Sequence, residues 1–164
     1  MMLRKAAPED ASRLAEILIF AKRTAYRGIF NNDKVSFGEM LVLPLALAYQ
    51  NDPASLANIL VYEDEFVKGM VKTSEEMMEN GLKAAEIKEF YVDPFFQGYG
   101  IGSILLTEIQ DRVRRKGIDM LFLWVLEKNE KARSFYEKKG FLLTNEKKLE
   151  EGTAEYMVKY TKSL

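Results

Sequence analysis

The sequence predicts a mixed α/β fold (α+β), in which helices flank a mostly antiparallel central sheet that includes one parallel pair of strands. A length of 164 residues with 48% hydrophobic residues suits one domain with a sizeable core. Strand-like runs alternate with helical segments along the chain. Residues 87–92 and 120–126 are two such runs, and the helix predicted from Ile101 to Gly117 is the right-handed crossover that joins parallel strands.

The chain begins with a predicted strand and a long helix. Residues 2–5 are typical of a strand. Pro8, Glu9 and Asp10 suit the first turn of a helix, where the missing proline N–H is harmless and acids meet the positive end of the helix dipole. Apolar residues then recur at helical spacing, at Leu14, Ile17, Leu18, Ala21 and Ala25.

A second helix and a hairpin are predicted next. Residues 36–49 favour a helix that Pro44 kinks or splits. Residues 59–62 and 66–73 are predicted as two antiparallel strands joined by a tight acidic turn. Residues 74–83 are predicted as a polar loop.

The last third of the chain repeats the strand and helix alternation. The continuous apolar run 120–126 is typical of a strand covered on both faces. Asn129 suits the N-cap of a further helix, which Gly140 ends. Residues 141–148 and 153–160 are predicted as a closing hairpin.

A glycine-rich loop separates the strand 87–92 from the helix that follows it. Three glycines in six residues let the backbone turn sharply, so that successive N–H groups point outward at the start of the helix. These groups and the positive end of the helix dipole suit a diphosphate. The loop consists of Gln97, Gly98, Tyr99, Gly100, Ile101 and Gly102.

The spacing of this loop excludes two other phosphate-binding motifs. A Walker loop needs a lysine after its last glycine, but Ser103 and Ile104 follow Gly102. A dinucleotide fingerprint needs a third glycine at position 103 and an acid at the end of the next strand, whereas Asp119 precedes that strand.

Two motifs carry a resemblance to the GNAT superfamily of N-acetyltransferases, and weaker agreement extends over nearly the whole chain. Gln97, Gly100 and Gly102 match the pattern Gln/Arg, x, x, Gly, x, Gly/Ala. A second signature of that family is matched by Asn129, Ala132, Phe135, Tyr136, Glu137, Lys138, Gly140 and Phe141.

The resemblance implies one acetyltransferase domain over residues 1–164, with the acceptor site mainly in 1–83 and the acetyl-CoA site mainly in 84–164. In the family the two parallel strands splay apart and admit the pantetheine arm, while the glycine loop holds the pyrophosphate. The cofactor-binding residues predicted on this basis are Tyr91, Val92, Gln97, Gly98, Tyr99, Gly100, Ile101, Gly102, Ser103 and Asn129.

Direct acetyl transfer to an amine needs a base for the ammonium and an acid for the leaving thiolate. The family places a tyrosine acid at Tyr136. Glu86 and Glu89 are candidate bases, acting directly or through water. Regular alternation puts them on opposite faces of the strand, and a bulge would change which one faces the cleft. The backbone N–H of Val92 is the predicted oxyanion donor.

The amino-acid composition excludes several kinds of catalytic and binding site. The chain has no cysteine and no histidine, so Cys/His and Ser/His catalytic pairs and the usual zinc ligand sets are missing, and no metal is predicted. Lys plus Arg total 24 against 25 Asp plus Glu, which argues against a nucleic-acid partner.

A membrane location is not predicted either. The longest apolar stretch, 40–49, is broken by Pro44 and is shorter than the ~20 residues of a membrane span. Acids at Glu9 and Asp10 come too soon for a signal peptide. We therefore expect a cytoplasmic protein.

The resulting prediction is an N-acetyltransferase that uses acetyl-CoA and acts on a primary amine of a small molecule or a protein. Tyr26, Phe30 and Asp33 are candidates for the acceptor pocket. The alternatives are a non-catalytic acyl-CoA-binding sensor or partner module and a nucleotide-binding protein without preference for CoA. A homodimer through sheet edges is also considered.

Overall fold

The computed structural model describes residues 1–32 and 41–164, and its strands form one eight-stranded sheet. Helices flank the sheet, and short 3-10 helices precede the first long helix and follow the fifth strand. The elements are β1 (Met2–Lys5), α1 (Ala11–Phe30), α2 (Val42–Asn51), β2 (Ile59–Asp64), β3 (Phe66–Thr73), β4 (Met77–Glu79), β5 (Leu82–Val92), α3 (Ile101–Arg115), β6 (Met120–Leu126), α4 (Glu130–Lys138), β7 (Leu142–Leu149) and β8 (Tyr156–Ser163).

The sheet confirms the predicted fold class. The strand order is β1-β2-β3-β5-β6-β8-β7, with β4 paired to β5 off this path. Among the described strands only β5 and β6 pair in parallel, from Ala84 opposite Met120 to Ile87 opposite Leu123. Residues 88–92 of β5 have no partner on β6, so the parallel pair opens into a gap at its C-terminal end.

A bulge interrupts β5 where the gap begins. Lys72 of β3 faces Glu89, but its neighbour Thr73 faces Ile87, so one residue of β5 is extra. The extra residue reverses the alternation of side chains, and Ile87 and Phe90 consequently pack in the same hydrophobic cluster.

The two largest hydrophobic clusters of the described residues lie on opposite faces of the sheet. One contains the apolar faces of α3 and of α4, and Leu105, Leu121 and Phe141 are at most 1% exposed there. The other packs α1 and α2 against β2 and β3. Gly69 of β3 lets α3 approach closely, since a Cβ at this position would lie 3.0 Å from Ile101 Cγ2.

Ion pairs fix the start of α1. Arg4 donates two hydrogen bonds to the Asp10 carboxylate, at 2.7 and 2.8 Å, and a third to Glu63 at 2.7 Å. The backbone N–H of Ala7 also donates to Asp10. These hydrogen bonds, that of Arg4 first, lower the pKa of Asp10.

A buried lysine joins β4 to β7 across the sheet face opposite α3 and α4. Lys159 Nζ lies 2.6 Å from Glu79 Oε1, 3.0 Å from Glu146 Oε1 and 4.9 Å from the ring centroid of Phe122. Burial lowers the pKa of Lys159, but its hydrogen bonds to the two carboxylates outweigh this, and the net shift is upward. Trp124 packs beside Phe122 on the same face.

The prediction of a polar loop over residues 74–83 is wrong. Its residues include β4 and the start of β5, which pair as a hairpin around Asn80 and Gly81 with φ of 50° and 82°. Asn-Gly is a hairpin signal because both turn residues need positive φ, and it outweighs the polar composition of the segment. β5 therefore begins at Leu82.

The other boundaries differ less. α2 begins at Val42, so Pro44 lies in its first turn, where proline is tolerated; residues 36–40 of the predicted helix lie outside the described residues. The second strand of the closing hairpin is displaced toward the C-terminus and runs over Tyr156–Ser163. This terminal strand lies between β6 and β7, so the sheet edges are β1 and β7. None of the helices within the described ranges combines the length and apolarity of a bilayer crossing.

Candidate active site

The glycine loop lies at the C-terminal end of the gap between β5 and β6. A 3-10 helix, Pro94–Phe96, follows β5 and leads into the loop, and α3 starts directly after it. α4 starts a few residues after the end of β6. The loop and the N-termini of two helices therefore lie near the open end of the gap.

Backbone conformation explains two of the loop glycines. Gly98 and Gly100 have φ of 88° and 82°, in the left-handed region that favours glycine. A Cβ at either position would meet nothing within 4 Å, so the glycines are needed for the turn and not for space inside the protein.

The first turn of α3 offers backbone donors. Ile104 N donates to Gly100 O at 3.1 Å, and this is the first helical hydrogen bond, so the amides of Ile101, Gly102 and Ser103 precede the ladder. Donors at a helix N-terminus fit the oxygens of a diphosphate. Gly102 also allows close packing, because a Cβ there would lie 3.5 Å from Phe135 Cζ.

The end of β5 presents a free backbone edge to the gap. Gly69 of β3 is directly opposite Val92. The residues next to this pair are hydrogen-bonded, since Asp93 N donates to the carbonyl of Lys68. In this antiparallel register the N–H and C=O of Val92 point away from β3, toward the gap. The carbonyl of Val92 accepts a hydrogen bond from Gln97 Nε2 at 3.2 Å.

Tyrosines from three elements gather beside the gap. Tyr136 of α4 is 7% exposed, and its ring contacts those of Phe90, Phe135 and Phe141. Burial raises the pKa of Tyr136 well above its usual value, and the nearby Tyr26 of α1 adds to the rise. Tyr26 and Tyr91 share a hydrogen bond, and burial raises the pKa of both.

The bulge places the two candidate carboxylates on one face of β5. Glu89 alternates with Tyr91, which packs in the core formed by α1 and α2. Glu86 is paired with Phe122 on that same face, and Ser74 fixes its backbone on both sides. Regular alternation would separate the two carboxylates, but the extra residue of the bulge reverses the alternation and places both on the face of Tyr91.

The carboxylates of Glu86 and Glu89 lie in different environments. Glu89 Oε2 is a buried oxygen that has no hydrogen-bond partner among the described residues. Tyr49 of α2 is near enough to interact electrostatically with Glu89. The pKa of Tyr49 is raised mainly by burial and, to a smaller extent, by the Glu89 carboxylate. Tyr49 is not predicted from the sequence as a neighbour of the site, because it lies in a helix whose pattern indicates only core.

Other predicted residues have structural partners. Asn129 Oδ1 accepts a hydrogen bond from Ala132 N at 3.2 Å and so caps α4 as predicted. Tyr99 is 77% exposed at the tip of the loop. Tyr26 and Phe30 stack edge to face with ring centroids 5.5 Å apart, while Asp33 lies outside the described residues.

Two further residues adjoin the site. Trp124 follows Leu123, the last residue of β6 that pairs with β5, and Lys148 Nζ lies 4.3 Å from its ring centroid. Lys131 of α4 donates a 2.7 Å hydrogen bond to Gln97 Oε1. The position of Lys131 four residues before Phe135 was the signal available for it in the sequence.

Comparisons with known proteins agree with this geometry. Residues 12–141 match the model of the acetyltransferase (GNAT) family. An uncharacterized N-acetyltransferase of Methanocaldococcus jannaschii is 39% identical over 59 residues, which are 36% of this chain and 26% of that protein. Glucosamine 6-phosphate N-acetyltransferase of Trypanosoma brucei brucei is 34% identical over 61 residues, which are 37% of this chain and 40% of that protein.

Both alignments therefore span less than half of the relatives' own lengths. Among solved structures, PaiA N-acetyltransferase of Thermoplasma acidophilum, crystallised with coenzyme A, superposes with a TM-score of 0.67 and 24% identity. That superposition covers 96% of each chain. It shows a shared fold.

Proposed function

Because the chain belongs to the acetyltransferase (GNAT) family, we propose that it is an enzyme that transfers the acetyl group of acetyl-CoA directly to a primary amine. We propose a single acetyltransferase domain over residues 1–164, with the acceptor mainly in 1–83 and the cosubstrate mainly in 84–164. The observation that carries the proposal is the gap beyond Ile87, which has helix amides at its open end and, beside it, the buried Tyr136 and the buried Oε2 oxygen of Glu89.

The loop and the edge of β5 suit the two parts of coenzyme A. The amides at Ile101, Gly102 and Ser103, with the turn made by Gly98 and Gly100, would hold the diphosphate. The exposed backbone edge near Val92 would pair with the amides of the pantetheine arm, as an added strand does. Gln97, Tyr99 and Asn129 would border this path. Tyr91 adjoins it on the same strand, with its own N–H and C=O directed toward Met70 of β3.

Glu89 is the stronger candidate for the base. An ammonium must lose a proton before it can attack the thioester, and a carboxylate oxygen without a donor is ready to accept it, directly or through water. Glu86 is the alternative, but it lies on the paired part of β5, before the gap opens.

Tyr136 would donate a proton to the departing thiolate. A phenol is protonated at neutral pH, as a general acid requires; burial raises the pKa of Tyr136, which keeps the proton in place but makes the phenol a weaker acid. The N–H of Val92 points into the gap and would stabilise negative charge on the thioester oxygen during attack.

The face of the sheet shared by Glu89 and Trp124 would receive the acceptor. Glu86, Glu89 and Glu150 lie on or near this face, and the charge of Glu150 contributes to the raised pKa of Tyr26. Lys159 is already neutralised by two carboxylates. Lys148 also lies on this face, over Trp124, but the three carboxylates outnumber it. The balance of charge therefore favours a cationic acceptor, either a small-molecule amine or a lysine or N-terminus of a protein.

The experiment is a survey of acceptors with acetyl-CoA in which release of free thiol is followed and products are identified by mass. The panel holds diamines, monoamines of matched chain length, lysine peptides and phosphorylated amino sugars. We expect amine-dependent thiol release, fastest with the diamines or lysine peptides. A preference for a phosphorylated amino sugar would overturn the assignment of charge.

The same assay separates the proposed enzyme from its alternatives. Tight binding of CoA by calorimetry with no transfer to any amine would identify a non-catalytic acyl-CoA-binding module. Equal affinity for ADP and CoA would indicate a nucleotide site that makes no use of the gap.

Location and assembly follow as further proposals. A cytoplasmic enzyme would meet acetyl-CoA directly. The edge strand β7 exposes Leu142, Leu143 and Leu149, and a homodimer through this edge would cover them. Light scattering measures the mass in solution, and a monomer at all concentrations would end the dimer proposal.

A further inference from the structure

Lys131 lies on the face of α4 that is turned toward the glycine loop. It precedes Phe135 by four residues, so the two side chains lie on the same side of the helix. Phe135 packs against the first turn of α3, where a Cβ at Gly102 would lie 3.5 Å from its ring. Because helical side chains lean toward the N-terminus, Lys131 extends past this contact toward the loop.

Two consecutive hydrogen bonds, from Lys131 to Gln97 and from Gln97 to Val92, cross the open end of the gap. Lys131 Nζ donates to Gln97 Oε1 at 2.7 Å, and Gln97 Nε2 donates to the carbonyl of Val92 at 3.2 Å. Lys131 follows β6 along the chain, whereas Gln97 follows β5, so this pair of hydrogen bonds links the two sides of the gap.

The ammonium of Lys131 has a neutral partner. Within residues 1–32 and 41–164 no carboxylate forms an ion pair with it, whereas Lys128, three residues earlier, lies 2.8 Å from Glu155. The structure thus holds an exposed, uncompensated positive charge at the same end of the gap as the amides of α3.

We propose that Lys131 binds the diphosphate of the acyl-CoA cosubstrate, exchanging Gln97 for a phosphate oxygen. This inference rests on the proposed function and adds a residue to it. The Gln97 oxygen is neutral, whereas a diphosphate oxygen carries negative charge, so the exchange adds a Coulombic attraction to the hydrogen bond and favours binding. Gln97 keeps its hydrogen bond to Val92 and continues to support the end of β5.

The test measures dissociation constants by calorimetry for wild type, K131Q and a matched control, K116Q. Lys116 follows the last turn of α3, roughly 20 Å along the helix from the loop, and K116Q removes the same charge. The ligands are CoA, dephospho-CoA, which lacks only the 3′-phosphate, and pantetheine, which lacks every phosphate.

We expect K131Q to weaken the binding of CoA and of dephospho-CoA by about tenfold each, a typical loss for a hydrogen bond to a charged group. Pantetheine should bind wild type and K131Q equally, and K116Q should match wild type throughout. Higher salt should reduce the difference between wild type and K131Q.

Three results would overturn the proposal. An unchanged affinity of K131Q for CoA would show that Lys131 does not contact the cosubstrate. A loss of affinity for CoA but not for dephospho-CoA would show that Lys131 contacts the 3′-phosphate and not the diphosphate. An equal loss with pantetheine would show that Lys131 supports the shape of the gap. Because binding is measured without an acceptor amine, these results stay separate from a failure of acetyl transfer.

Discussion

Two carboxylates, one on a buried residue and one with a single buried oxygen, mark two regions of this molecule that differ in how many hydrogen bonds the protein supplies. At the start of α1, Asp10 is 6% exposed and accepts two hydrogen bonds from Arg4 and one from the backbone of Ala7. At the bulge of β5, Glu89 has a buried oxygen without a partner among the described residues.

The difference separates a region that stabilises the fold from the region to which we assign the chemistry. A buried carboxylate whose donors are supplied by the protein stabilises the fold, whereas one left without donors costs free energy of folding. The cost at Glu89 falls where β5 leaves β6 and where Val92 directs its N–H into the gap. Groups that the fold leaves unsatisfied here are the ones that a substrate would satisfy.

The largest effect is expected at Tyr136. Y136F removes the hydroxyl that would protonate the thiolate, so kcat should fall about a hundredfold or more, while the calorimetric Kd for CoA stays unchanged. The matched control is Y160F, since the Tyr160 hydroxyl is satisfied by Arg133 and Glu137. Y160F should lower the free energy of unfolding by about 1 kcal/mol and leave kcat nearly intact. Equal effects of the two substitutions on kcat would remove Tyr136 from its role.

A smaller effect is expected at Glu89. E89Q should lower kcat/KM between about tenfold and a hundredfold because an amide cannot accept the proton of the ammonium. Its free energy of unfolding, measured in denaturant, should hold or rise, since the buried charge is gone. E86Q is the control, and a larger loss of kcat/KM in E86Q than in E89Q would transfer the role of base to Glu86.

The smallest effect is expected at Asp10, and it concerns stability alone. D10N should lower the free energy of unfolding by about 1 to 2 kcal/mol at neutral pH, because Arg4 is partly exposed and loses a charged partner. The folded pKa of Asp10 lies below its unfolded value, so its contribution is full above that unfolded value of about 4 and is lost as pH falls through the folded pKa.

Denaturant titrations at several pH values test this sign. The gap in stability between wild type and D10N should shrink on acidification from about pH 5 downward. A gap that grows toward acid pH would contradict the assignment, and so would a loss of kcat per folded molecule in D10N.

Apart from β4, the order of the elements was predicted from the sequence, because each of the others has a local signal. Gly98 and Gly100 are required by backbone geometry, and the apolar run of β6 reflects burial on both faces. The hairpin at Asn80 and Gly81 also had a local signal, which the polar residues around it concealed.

The choice between Glu86 and Glu89 had no such signal. It depends on the bulge, and the bulge is a property of the pairing between β3 and β5, where Lys72 and Thr73 face residues that are two apart on β5. Periodicity along one strand cannot reveal an extra residue that only the neighbouring strand defines. The partnerless oxygen of Glu89 likewise depends on packing among distant segments.

Trp124 is the single tryptophan of the chain, and it lies just past the last residue of β6 that pairs with β5. Indole emission responds to nearby charge, and here Lys148 lies over the ring at 4.3 Å. The protein thus carries an intrinsic fluorophore on the face assigned to the acceptor. Its spectrum can report occupancy of that face in real time, without any label.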